Sequence, residues 1–207
     1  MGVRIAMTTY YVYDVFSNAH FAGNQLAVVP DASALPADQL QKIAREFNYS
    51  ETVFLYPPTD PANTAKLRIF TPTMEIPFAG HPTVGTAIAL RDDGHMGPMT
   101  LELGIGPIAC MIDPDGAAFT LAAPVVRYGM PDVTLVARAV GLPETAITTT
   151  THAPIQASVG LPFVLVELTD ETQLMACVPN TNVFREGAAA YPTPLDFAIF
   201  AYVRRDS

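Results

Sequence analysis

Glu51 and His81 are the two side chains of this sequence best placed to do chemistry, and the chemistry they suit is proton transfer at carbon. Glu51 heads the run Ser50 to Tyr56. Its period-two pattern sets Glu51, Val53 and Leu55 on one face and Thr52, Phe54 and Tyr56 on the other. Both faces read as covered by protein. A carboxyl at the mouth of such a strand loses solvation, which raises its pKa and fits it to take and give protons near neutral pH. His81 lies in Phe78 to Leu90, thirteen residues without an acidic side chain, lysine or arginine, which reads as a helix buried on all sides. Gly80 permits close backbone approach, His81 suits the cap, and Pro82 suits the first helical position. The N–H groups after Pro82 are then expected to point outward, a ready seat for a carboxylate. A carbon acid needs a base in near contact and donors that hold the electron density released; these two stretches supply both.

Other chemistries find less support. Gly80 to Thr86 has the glycine spacing of a phosphate loop, but Val84-Gly85-Thr86 lacks the lysine, and no Gly-x-Gly-x-x-Gly occurs. His20, His81, His95 and His152 show no metal-ligand spacing, so neither metal nor cofactor is expected. Cys110 and Cys177 are too few for a disulfide framework and read as buried thiols.

Half of the 207 residues are hydrophobic and 15% are charged, which excludes a disordered chain. A net charge of −9 with only 11 lysines and arginines argues against nucleic acid as a partner. No run approaches the roughly 18 apolar residues of a membrane span, and the N-terminus has no apolar leader. Met1-Gly2 fails the myristoylation pattern because Ala6 stands where Ser or Thr is needed. The expectation is a cytoplasmic protein without a membrane partner.

Strands are expected over Thr8 to Phe16, Gln25 to Val29, Ser50 to Tyr56 and Lys66 to Phe70. A helix opened by Pro36 carries Leu40, Ile43, Ala44 and Phe47 on one face and stops at Asn48. Thr71 to Pro77 is a proline-punctuated loop in which Glu75 reads as a rim charge or second acid. Short strands follow at Met99 to Leu103, Ile108 to Ile112 and Ala118 to Ala122. A boundary is expected at Pro124 to Pro131, then a helix from Pro131 to Val140 closed by Gly141. Beyond it lie strands at Ile155 to Val159 and Phe163 to Leu168, a short helix capped at Thr169-Asp170-Glu171, and a last strand, Leu195 to Val203.

Three stretches taken together, Phe21 to Val29, Phe47 to Thr52, and Arg68 to Pro72 running into Glu75 to Thr83, resemble the phenazine-biosynthesis PhzF-like family, relatives of diaminopimelate epimerase. The resemblance implies an α+β fold in which a mixed sheet wraps as a barrel around a central helix, here 81–91, within a first domain spanning 1–124. It implies a second domain of the same type over 125–207, a homodimer, and a cofactor-independent isomerase or epimerase acting on a small carboxylate metabolite. The archetypal member isomerises a dihydro-hydroxyanthranilate. By motif, Glu51 matches the acid/base and His81 with Gly80 the second catalytic and ligand-binding element; Pro82, Thr83, Asn24 and Ser50 are expected to line the substrate. The two-cysteine racemase mechanism of the wider superfamily does not fit, because the residue before Pro82 is His81 and neither cysteine precedes a glycine-led helix.

The family pattern continues past Arg204-Arg205-Asp206-Ser207 with a second central helix and an aspartate-bearing loop. That aspartate's role is not assigned to Asp196 or Asp206. The second domain is therefore expected to be incomplete, leaving apolar faces of Phe163 to Leu168 and Leu195 to Val203 uncovered. A shortened member, a fold completed by subunit exchange, or a non-catalytic binding or assembly protein would each account for this.

Overall fold

Alternation of Tyr and Val with polar residues makes Tyr11–Val15 the strand β1, and Asn24–Val29, buried from Leu26 onward, returns antiparallel to it as β2. This is a computed structural model, and it describes residues 8–205; the Met1 to Ala6 stretch and Asp206 weighed above lie outside them. Two units follow one another along the chain, Met1–Ala122 and Ala123–Ser207.

In the first unit, helix α1 (Ala37–Phe47) ends where Asn48 takes left-handed backbone at φ 54°, a conformation asparagine tolerates better than most residues. Strand β3 (Glu51–Tyr56) pairs parallel with β2 and antiparallel with β4 (Ala65–Phe70), and the two-residue β5 (Glu75–Ile76) adds to β4. After helix α2 (Gly80–Asp92) come β6 (Met99–Leu103), β7 (Gly106–Asp113) and β8 (Gly116–Phe119). Strand order is β1-β2-β3-β4-β6-β7-β8. Helix α1 covers one face through Leu40 and Ala44 against Val29, Phe54 and Phe70. By alternation Glu51, Val53 and Leu55 face the other side, where α2 lies.

Gly85 lets that helix close in. A Cβ there would stand 2.5 Å from Leu26 Cδ2 and 2.8 Å from Val15 Cγ2. The sheet does not meet itself around α2. Among the described residues β1 and β8 each pair on one side only, and a groove of about 450 Å³ runs between Tyr13–Ser17 and Pro114–Ala117. Val84, Ile88 and Arg91, each half-buried, form its floor.

The loop between β3 and β4 is organised by Glu102, whose carboxylate accepts from the backbone N–H groups of Thr59 and Asp60 and from Asn63 Nδ2. These bonds favour the charged form and hold its pKa down at about 2. A depressed acid stabilises above its ordinary pKa and loses that contribution as pH falls through the folded value. Hydrogen exchange is expected to show Thr59 and Asp60 losing protection between about pH 4.5 and 2, and Glu102→Gln to show the loss already at pH 7. Unchanged protection in the variant would overturn this.

The second unit opens with β9 (Val126–Gly129), a strand within the stretch expected to hold the boundary, followed by α3 (Val133–Val140), capped by Asp132 Oδ1 accepting from Thr134 N and closed by Gly141 at φ 70°. A 3-10 turn (Glu144–Ala146), β10 (Ile155–Ser158), β11 (Pro162–Glu167), α4 (Glu171–Met175), α5 (Thr181–Ala190) and β12 (Ile199–Tyr202) complete it, with sheet order β12-β11-β10-β9. The expectation of uncovered strands is corrected for one face. Val164, Val166 and Leu168 are buried with Val136 of α3, Val183 of α5 and Phe197. Gly187 allows the fit, since a Cβ there would meet the Phe197 ring at 2.6 Å. On the opposite face Phe163 and Leu165 are half-buried and Phe200 is exposed.

Candidate active site

Parallel pairing of β2 with β3, in the register Leu26 to Glu51, brings the starts of both strands to one end of the sheet. Asn24, Ser50 and Glu51 therefore lie together, and the first turn of α2 brings His81 to them. The four make a continuous polar line. Ser50 Oγ donates to Asn24 Oδ1 at 2.5 Å, Asn24 Nδ2 meets His81 Nδ1 at 3.2 Å, and His81 Nε2 lies 3.2 Å from Glu51 Oε2. The line runs inward: Asn24 and Ser50 are exposed, whereas the Glu51 side chain is 13% and the His81 side chain 8% accessible.

The last contact has salt-bridge distance but not salt-bridge character. Its geometry does not make a hydrogen bond, so Glu51 Oε2 and His81 Nε2 are two of the five buried side-chain polar atoms left without a hydrogen-bond partner among the described residues. Unpaired buried polar atoms are costly and rare, and these two face each other. Burial also moves both pKa values against an ion pair. It pushes the Glu51 carboxyl up to about 7. It pushes His81 down to about 4, although a backbone group of Gln25 favours the charged ring. Near neutral pH the imidazole is uncharged and the carboxyl is divided between its two forms, a separation typical of sites where one group moves protons and another polarises.

The helix entry differs from expectation. Ala79, not His81, is the N-cap, so Pro82 occupies the third helical position rather than the first. The proline still fits, because that N–H has no intrahelical acceptor either. The free amides are consequently those of Gly80 and His81, before the proline; Thr83 N already reaches Ala79 O at 3.3 Å. No side chain caps this end. Pro82 and Thr83 are buried, and the Thr83 hydroxyl donates to Ala79 O at 2.7 Å. A Cβ added at Gly80 would meet Phe119 Cζ at 3.9 Å, an ordinary van der Waals contact.

Glu75, the other candidate acid, is held by Arg68 through two bonds of 2.8 and 2.6 Å and is a charge of the sheet rim. Cys110 is buried, with its thiol pushed up to about 11 by desolvation, and Cys177 is shifted the same way, the opposite of what a nucleophilic thiolate requires. Among the described residues no group of three or more His, Cys, Asp or Glu could hold a metal ion, and no helix is long and apolar enough to cross a membrane.

A mixed sheet curled over one helix gives the first unit a diaminopimelate epimerase-like fold. The chain is similar to the structure of a predicted epimerase from Pseudomonas aeruginosa, with TM-score 0.74 and 30% identity over 94% of this chain and 68% of that one. Residues 13–196 match the family described as phenazine biosynthesis-like protein, PhzC-PhzF, and the chain belongs to that family. It is 43% identical over 167 residues to an uncharacterized isomerase of Mesorhizobium japonicum, covering 76% of this chain and 55% of the relative. It is also 43% identical over 119 residues to the trans-2,3-dihydro-3-hydroxyanthranilate isomerase of Pseudomonas chlororaphis, covering 56% of this chain and 42% of that enzyme. The chain thus spans about half the length of the curated relatives it matches.

Proposed function

We propose that this chain carries the acid/base centre of a cofactor-independent isomerase or epimerase acting on a small carboxylate-bearing metabolite, with Glu51 and His81 as its catalytic residues. The observation that carries this reading is the facing pair of unsatisfied atoms, Glu51 Oε2 and His81 Nε2, beside the free amides of Gly80 and His81. In its ionised form Glu51 removes a proton from a substrate carbon, and the electron pair of that C–H bond passes into the adjoining π system. The neutral His81 ring and the helix amides stabilise the developing negative charge without reorganising. The protonated Glu51 then returns the proton to another carbon on the same face, so a single carboxyl closes the cycle. Gly80, Pro82 and Thr83 shape the seat for the substrate carboxylate, Asn24 and Ser50 its outer wall, and the protein works in the cytoplasm as a homodimer.

The relative from Pseudomonas chlororaphis supplies the first substrate to try. Incubation with trans-2,3-dihydro-3-hydroxyanthranilate and a panel of small carboxylates in deuterated buffer is expected to wash deuterium into carbon positions of one of them, detected by NMR. Tight calorimetric binding of a carboxylate with no deuterium incorporated would instead favour a ligand-binding or assembly role.

A further inference from the structure

From the hydrogen-bond line that enters the site we infer that Asn24, braced by Ser50, is a positioning residue that holds His81 as the tautomer protonated on Nε2. The inference rests on the proposed function only in supposing that this ring faces substrate. A neutral imidazole carries one proton, and which nitrogen holds it is decided by what the other nitrogen meets. Ser50 Oγ donates to Asn24 Oδ1, which occupies the amide oxygen and turns the Asn24 NH₂ group toward the ring. An NH₂ group can only donate, so Nδ1 must present its lone pair and the ring proton resides on Nε2. That is the nitrogen facing Glu51 Oε2 across 3.2 Å. The consequence is directional. With the proton on Nε2 the ring offers a donor to negative charge forming in the gap; with the proton on Nδ1 it would offer a second acceptor beside a carboxylate, which repels that charge. The competing arrangement has the ring donating to the backbone of Gln25, the group that favours its charged form. The exposed pair Asn24 and Ser50 thus acts on chemistry through the buried ring.

The test is ¹⁵N NMR of the histidine-labelled full chain at pH 7, with His81 assigned by loss of its signals in His81→Asn. Protonated and bare ring nitrogens have widely separated shifts, so the tautomer is read directly and independently of activity. The parent is expected to show Nε2 protonated and Nδ1 bare. Asn24→Asp presents only acceptors and is expected to move the proton to Nδ1, while Ser50→Ala, which frees the amide to rotate, is expected to give averaged shifts. A parent with Nδ1 protonated overturns the inference, as does an unchanged Nε2 tautomer in folded Asn24→Asp. If that variant does not fold, unaveraged parent-like shifts in Ser50→Ala overturn it. Failure of deuterium incorporation with these shifts as expected would count against the isomerase reading alone; incorporation with the tautomer unaffected by Asn24→Asp would count against this inference alone.

Discussion

Glu51→Gln is expected to lower deuterium incorporation by about 10²- to 10⁴-fold, the usual contribution of a positioned acid/base, and at the same time to make the protein more stable at pH 8. The two effects have one cause. Folding raises the Glu51 carboxyl from 4.5 to about 7, chiefly by burial, so the native state keeps this proton to a higher pH than the unfolded chain does. Where the native state binds more protons, stability falls as pH rises; here the fall spans the interval from about 4.5 to 7. Holding the ionised carboxyl in place above that interval costs up to about 3 kcal/mol, and glutamine removes the cost. His81 gives the opposite slope. Its folded pKa of about 4 lies below the ordinary 6.5, so the unfolded chain takes up the proton first and stability declines on acidification through that range. Between about pH 4.5 and 6.5 the two slopes oppose each other, so urea midpoints of the parent are expected to change little there, and those of the variant to fall on acidification from about pH 6.5 toward 4. A variant no more stable than the parent at pH 8, or exchanging as fast, would remove Glu51 from the role of buried base.

The second large effect is expected from Gly23→Ala. A Cβ at Gly23 would lie 2.5 Å from the carbonyl carbon of Asp14 and 2.7 Å from the oxygens of both Asp14 and Val15. These are main-chain atoms of the paired strand β1 and cannot swing aside as the end of a side chain can. The cost is expected near the upper end for overpacking, about 3 kcal/mol, read as a lowered urea midpoint. Asn24, which pairs with Val15 in the register, shifts with the strand, so the His81 signals should move as well. Gly116→Ala is the control, since nothing lies within 4 Å of its added carbon. Equal stability of the two variants would mean that the crossing at Gly23 is not as tight as described.

Residues with strong local signals announced their own structure. The face Leu40, Ile43, Ala44 and Phe47 gave α1, Asn48 and Gly141 gave helix ends through left-handed backbone, and the period of β3 put Glu51 on the side where α2 lies. Features that depend on distant pairing were not legible. The contact of Asn24 with His81 exists only because β2 and β3 run parallel in one register, which no local pattern encodes. Helix α5 buries only Val183 and Gly187, too few apolar positions for its period to stand out from sequence, and β9 is exposed along most of its length, so neither announced itself. The start of α2 was displaced because proline is tolerated at the third position as well as the first, and no capping side chain marks Ala79.

Strand β3 is flanked on both sides by other strands and is buried on both faces from Thr52 to Leu55. Its amides can reach water only when most of the first unit comes apart, which makes it the stiffest mount this part of the molecule offers. Glu51 is its first residue. A carboxyl that must present the same oxygen turn after turn is fixed to the anvil, while the loop bearing Phe16 and Phe21, 74% and 95% exposed, is left to yield.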